Sequence, residues 1–244
     1  MGVRNITLQV EKKTLVILAH PQIEGSSSHQ FLIQTGQRYT LVDYLDIAKA
    51  YQDNHRFDSQ VEIERLKKYD RIIFQFQLYW YQAPAILKIW MDQVFSYHIE
   101  ASRNYKGFKG KELGVVVIAG SKEAGYMPGG RHGVTITQLL SPYMAFAKYW
   151  QMIWLPHLSI HQFQWMSETD KRHVMLDYVT YLNKGSVGSF RLKQSQLLEI
   201  LSGIKNKDGK LLSQSHPSFS AVISTLTANQ EALNDMYQAH EEEA

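Results

Sequence analysis

The sequence predicts an α/β protein with a doubly wound, five-stranded parallel sheet, followed by a C-terminal helical appendage. Two observations carry this expectation. Short apolar runs recur along the chain, each continuously apolar rather than alternating, as in strands buried on both faces. Stretches with helical spacing lie between them, so strand and helix alternate over the first three-quarters of the chain. The 244 residues suffice for one generous domain with an appendage.

Taken in order, residues 14–19 (TLVILA) predict a first strand ending at His20-Pro21. Pro21, Gly25 and three serines then predict a loop, and 28–37 a short helix. Residues 39–43 predict the second strand. From Asp58 onward, Val61, Ile63, Leu66 and Tyr69 fall near helical spacing, with Asp58 or Ser59 as cap. Residues 71–76 predict the third strand. Over 83–97, Pro84 suits a first turn, and Ile86, Leu87, Trp90, Met91 and Val94 form an apolar stripe. Residues 113–119 predict the fourth strand, 135–150 a helix bent at Pro142, 153–160 the fifth strand and 168–182 another helix. Composition changes after Gly185: 185–190 read as a linker, 192–201 as a helix, 206–209 as a turn. Phe219, Val222, Ile223, Leu226, Leu233 and Tyr237 place a helix over 218–237. The expected division is therefore 1–184 and 185–244.

Composition removes several function classes. Without cysteine there is no disulfide, Cys-ligated zinc, iron–sulfur cluster or thiol nucleophile. Lys and Arg (26) nearly balance Asp and Glu (23), giving a net charge of +3, which does not suggest a nucleic-acid binder. The longest purely apolar run, 115–119, is too short to span a bilayer, and residues 1–13 lack a signal-peptide core, so a cytoplasmic location is expected. His157 and His161 are four apart, but Pro156 and apolar neighbours place them on a strand, so no metal site is expected.

In an open doubly wound sheet, ligands bind at the carboxyl ends of the strands near the topological switch point. Three loops qualify. The first, 20–29, sets His20, Ser26 and Ser28 before a helix start, where N–H groups and the dipole suit a phosphate; the ordinary alternative is that the serines cap the helix. It carries neither a dinucleotide fingerprint nor a Walker loop. The second contains Leu78, Tyr79, Trp80 and Tyr81, whose aromatics could hold a planar heterocycle or plug the core. The third, 120–133, opens with Gly120 and Ser121, has five glycines, and offers Tyr126 and His132 as hydrogen-bonding groups. An imidazole changes charge near neutrality, although a lone histidine in a surface loop is more often just solvated.

At these loops the chain resembles the NAD(P)H:quinone oxidoreductase family, flavodoxin-like proteins that include DT-diaphorase, modulator-of-drug-activity reductases and ancillary flavoproteins of potassium-efflux systems. The resemblance covers about 14–182. Its most specific segment is 78–95 (LYWYQAPAILKIWMDQVF), which is similar to the family form PLYWYxxPxxLKxWxDxVF. His20-Pro21 with Ser26 resembles the family's phosphate loop, and Tyr126 with His132-Gly133 falls at its active-site tyrosine and histidine. Three departures stand out: Gln77 replaces a usual proline, Ala119-Gly120-Ser121 a Thr-Thr-Gly-Gly-like run, and His29 a common asparagine.

The resemblance implies a flavin cofactor, FMN or FAD with FMN slightly ahead, and NAD(P)H as co-substrate. Hydride would pass in two steps at one site to a quinone or similar acceptor. His20, Ser26 and Ser28 would hold the phosphate. Leu78, Tyr79, Trp80 and Tyr81 would support the ring edge, and Gly120 and Ser121 would lie beside it. Tyr126 and His132 would be catalytic. A homodimer is implied; the aromatic-rich stretch 143–154 is consistent with it, or is an ordinary core helix and strand. The alternative is a regulatory flavoprotein subunit docked on a membrane potassium-efflux protein, for which the 219–237 face could serve, the ordinary reading of that face being packing on its own domain or on the dimer mate.

Overall fold

The computed structural model describes residues 12–95, 107–186, 194, 197–198, 200–204 and 209–242, with backbone alone over 233–242. Its larger unit, 10–37 with 41–187, holds a parallel sheet. Strand β1 (Thr14–Ala19) leads through α1 (Ser27–Gly36) to β2 (Val42–Asp46). Helices α2 (Ile47–Asn54) and α3 (Ser59–Lys67) precede β3 (Arg71–Gln77), and α4 (Ala85–Val94) follows it. Then come β4 (Glu112–Ala119), α5 (Ile136–Leu139), α6 (Ser141–Tyr149), β5 (Ile153–Trp154), β6 (Leu158–His161) and α7 (Glu168–Lys184).

The strand order is β2-β1-β3-β4-β5, with β6 also paired to β4. Chain direction across the sheet reverses between β1 and β3, so the switch point lies at their carboxyl ends. Ala19 is in register with Phe76 there, which brings His20 and Gln77 to one edge. Strands β1 and β4 are buried at every position, as their continuous apolar runs require. On α4, Leu87, Trp90 and Val94 repeat at i, i+3 and i+7 and are wholly buried. The Trp90 indole donates from Nε1 to Glu62 Oε2 at 3.2 Å, so its polar edge is satisfied inside the core.

The sequence and the structure differ at identifiable places. The second strand begins three residues later than expected, at Val42, and runs straight into α2, which apolar spacing does not reveal because Ile47 is its single buried residue. Asp46 caps α2, its Oδ1 accepting from the Ala48 and Lys49 N–H groups at 3.0 and 3.1 Å. The expected helix bent at Pro142 is two helices, because proline in the first turn begins a new one at Ser141. The fifth strand is interrupted after Trp154, where Pro156 has no N–H to give, and resumes at Leu158.

In the smaller unit, 1–9, 38–40 and 188–244, helix α8 (Leu212–Ser215) precedes α9 (Pro217–Glu242). The expected helix over 218–237 is thus contained in a longer one. Of the expected 185–190 linker, 187–190 lie outside the described residues, as do 206–208 of the expected turn. No described helix is long and apolar enough to cross a membrane.

Candidate functional site

A cleft of about 470 Å³ lies at the carboxyl edge of β1, β3 and β4. Its walls include His20, Ser26, Ser28, Gln77, Tyr79 and Gly120, together with residues 162–165 after β6. The first loop, the start of the second and the start of the third therefore meet at one place. The fourth contribution, Gln162 to Trp165, was not anticipated, although the same strand-end rule applied to the fifth strand points to it.

The serines do not act as caps. Ser26 stands at the N-cap of α1 but makes no side-chain cap bond. Its Oγ lies instead 3.0 Å from His29 Nδ1 and 3.3 Å from Ser28 Oγ. The first-turn N–H groups of α1 have no acceptor within the helix, and Ser26, Ser27 and Ser28 line the cleft beside them. This is a donor-rich cradle of the kind an oxyanion occupies. His20 flanks it, Nδ1 accepting the Gln22 N–H at 3.1 Å and Nε2 facing Tyr79 Oη at 3.2 Å.

Tyr79 belongs to a tight turn. Tyr79 and Gln82 exchange both backbone hydrogen bonds, at 2.9 and 3.0 Å, around Trp80 and Tyr81. Those two have φ of 46° and 66°, the left-handed pair of a type I′ turn that ordinarily takes Asn-Gly. Holding two aromatic residues there costs about 1–3 kcal/mol each, a strain characteristic of functional loops. Trp80 is 92% exposed, whereas Leu78 packs on the core. Leu78, Trp80, Tyr81 and Ser121 do not line the cleft.

Tyr81 turns to the third loop, its Oη 3.2 Å from His132 Nδ1. The His132 ring stacks on Tyr126, centroids 4.2 Å apart and planes 20° from parallel. Burial raises the Tyr126 hydroxyl above its ordinary range, against an opposing hydrogen bond with Ser121, so it remains a protonated donor at neutral pH. His132 Nε2 is buried and has no partner among the described residues. The stack needs glycine at two positions: a Cβ on Gly125 would come within 2.9 Å of the His132 ring, and one on Gly130 within 2.5 Å of two backbone oxygens. His161, set aside as a strand residue in the sequence, ends β6 with its ring 5.8 Å from Tyr126. Its Nδ1 donates to the Ser121 carbonyl at 3.1 Å.

A family model described as flavodoxin-like fold matches residues 12–182. The uncharacterized NAD(P)H oxidoreductase YrkL of Bacillus subtilis is 31% identical over 170 residues, 70% of this chain and 97% of that protein. The crystal structure of an NADPH-quinone reductase from P. pentosaceus shares 33% identity at a TM-score of 0.64, covering 70% of this chain and 98% of that one. The general stress protein 14 of Treponema denticola, crystallised in complex with FMN, shares 29% identity at a TM-score of 0.60, covering 70% and 97%.

Proposed function

The chain belongs to this flavodoxin-like fold family, and on that footing we propose that it is a flavin-dependent NAD(P)H oxidoreductase that delivers two electrons to quinones or similar acceptors. One observation carries the reading. The turn at Tyr79–Gln82 ties an anion cradle on one side to a proton-handling pair on the other, through His20 and His132 respectively. The similarity to an NAD(P)H oxidoreductase and to an NADPH-quinone reductase, and the FMN held by the Treponema protein, support it.

The residues present fit a flavin phosphate: buried serine hydroxyls converge with free helix N–H groups, and the Gly120 Cβ position is open. When bound, a flavin supplies the hydride chemistry that no side chain can. The chain's own residues do the rest. Ser26, Ser28 and the α1 N–H groups hold the phosphate. Tyr79 fixes His20 against that loop. Tyr126 Oη donates a hydrogen bond to charge developing on the acceptor. Tyr81 Oη and His132 Nδ1 share a hydrogen bond at 3.2 Å that orients the ring, and His132 would give or take a proton as the acceptor changes charge. Division into 1–184 for this chemistry and 185–244 as an extension is part of the same proposal.

One cleft serving donor and acceptor in turn makes a kinetic prediction. Initial rates at varied NADPH and quinone are expected to give parallel double-reciprocal lines, the mark of a substituted-enzyme sequence. Intersecting lines, which require both substrates together, would contradict a shared site.

A further inference from the structure

His29 has no task in the reading above, yet it lies against the cradle. It sits in the first turn of α1 and is 0% exposed. Its Nδ1 meets Ser26 Oγ, and its Nε2 is buried without a partner among the described residues. Its ring centroid is 4.8 Å from that of His20. The other titratable groups acting on this pair are Asp46, at the end of β2, and Tyr79. Burial, and secondarily repulsion from His20, push His29 down to about 3, so it is neutral at physiological pH. The two histidines differ in one respect. Protonating His20 on Nδ1 would break its bond from the Gln22 N–H, whereas His29 Nε2 is free to take a proton at no such loss.

We propose that His29 is a specificity-determining proton acceptor beneath the cradle, which selects a phosphomonoester dianion, and hence FMN over FAD or riboflavin. The inference rests on the flavin reading of this cleft. A phosphomonoester carries nearly two negative charges above about pH 7, since its second ionisation lies near 6. Each phosphate of a dinucleotide pyrophosphate carries one. Serine hydroxyls and backbone N–H groups are neutral donors, and a second charge in a buried cradle calls for a cation nearby. On binding, the Ser26 O–H turns to the phosphate and its oxygen accepts from His29 Nδ1–H. The incoming proton occupies Nε2, and the imidazolium then offsets the second charge. An asparagine at position 29 could make the Ser26 contact but could not take up the proton.

The test uses flavin-free full-length protein. FMN, FAD, riboflavin and inorganic phosphate are titrated by fluorescence quenching or calorimetry at several pH values above about 7, in two buffers of different ionisation enthalpy. FMN binding is expected to take up close to one proton, with Kd rising by up to about tenfold per pH unit on the alkaline side. Riboflavin is expected to take up none. His29→Asn should bind FMN with a pH-independent Kd and a smaller preference for FMN over FAD. Wild-type binding of FMN without proton uptake, or an unchanged pH slope in H29N, overturns the proposal. Proton-coupled binding of inorganic phosphate with no flavin binding would uphold the acceptor and overturn the flavin reading. Binding of neither overturns both.

Discussion

Replacing His132 with Ala, or Tyr126 with Phe, is expected to lower kcat by about 10²-fold or more while flavin stays bound. Both effects follow from the geometry. His132→Ala removes the imidazole proposed to exchange the proton and the partner of Tyr81 Oη. Tyr126→Phe keeps the ring stacked on His132 at 4.2 Å and removes one hydroxyl. Neither side chain is among the residues that surround Ser26 and Ser28, where the proposed phosphate contacts lie, so retention is not at stake. Tyr81→Phe, which leaves the histidine in place but releases its orientation, should cost less. Flavin content and kcat are measured on the same preparations. Loss of flavin from either principal variant would make these residues structural supports instead.

The largest expected effect on stability lies at the opposite end of the sheet. Arg71 opens β3, and its side chain is 2% exposed. Its Nε donates to Glu112 Oε2 at 2.6 Å, and its Nη1 to the Leu182 carbonyl. Lys12 Nζ donates to the other carboxylate oxygen at 2.6 Å. Arg71→Met would strand a half-paired buried carboxylate and an unsatisfied carbonyl, which costs about 3–5 kcal/mol. Thermal unfolding should fall by many degrees, with the Arg71→Met/Glu112→Gln double variant losing less than the sum of the singles.

The same pair has a pH signature. Burial acts to raise the Glu112 carboxyl, but the hydrogen bonds from Lys12 and Arg71 outweigh it and hold the group below its ordinary value of 4.5. Because the native value is depressed, the stabilisation is complete above about pH 4.5 and is lost as pH falls through the native value. Wild-type Tm should therefore drop on the acid side more steeply than that of Glu112→Gln. Equal slopes would mean that the pair contributes nothing through ionisation.

Much of this architecture was legible in the sequence where one physical signal dominated. β1, β3, β4 and α4 were readable because burial on both faces, or along one stripe, leaves a continuous or periodic apolar pattern. α2 was not, since one buried residue cannot define a stripe and its evidence is the Asp46 cap. The cleft was readable through the strand-end rule, which brought His20, Ser26, Ser28, Tyr79 and Gly120 to one wall. Whether Ser26 caps α1 was not, because serine suits a cap as well as an anion site, and only the structure shows its Oγ on His29 Nδ1 with no cap bond. The left-handed aromatic turn was equally hidden, since Trp-Tyr is not a sequence that predicts one.

A flavin held in this cleft and reduced by NAD(P)H would be seen in the absorption spectrum of the purified protein, followed by NADPH titration under nitrogen. The expected result is a band at about 450 nm that bleaches with NADPH and returns on adding a quinone. A bound flavin that NADPH leaves oxidised would contradict the reductase and favour a regulatory flavoprotein. A protein that binds no flavin, even after reconstitution, would contradict a flavin site in this cleft.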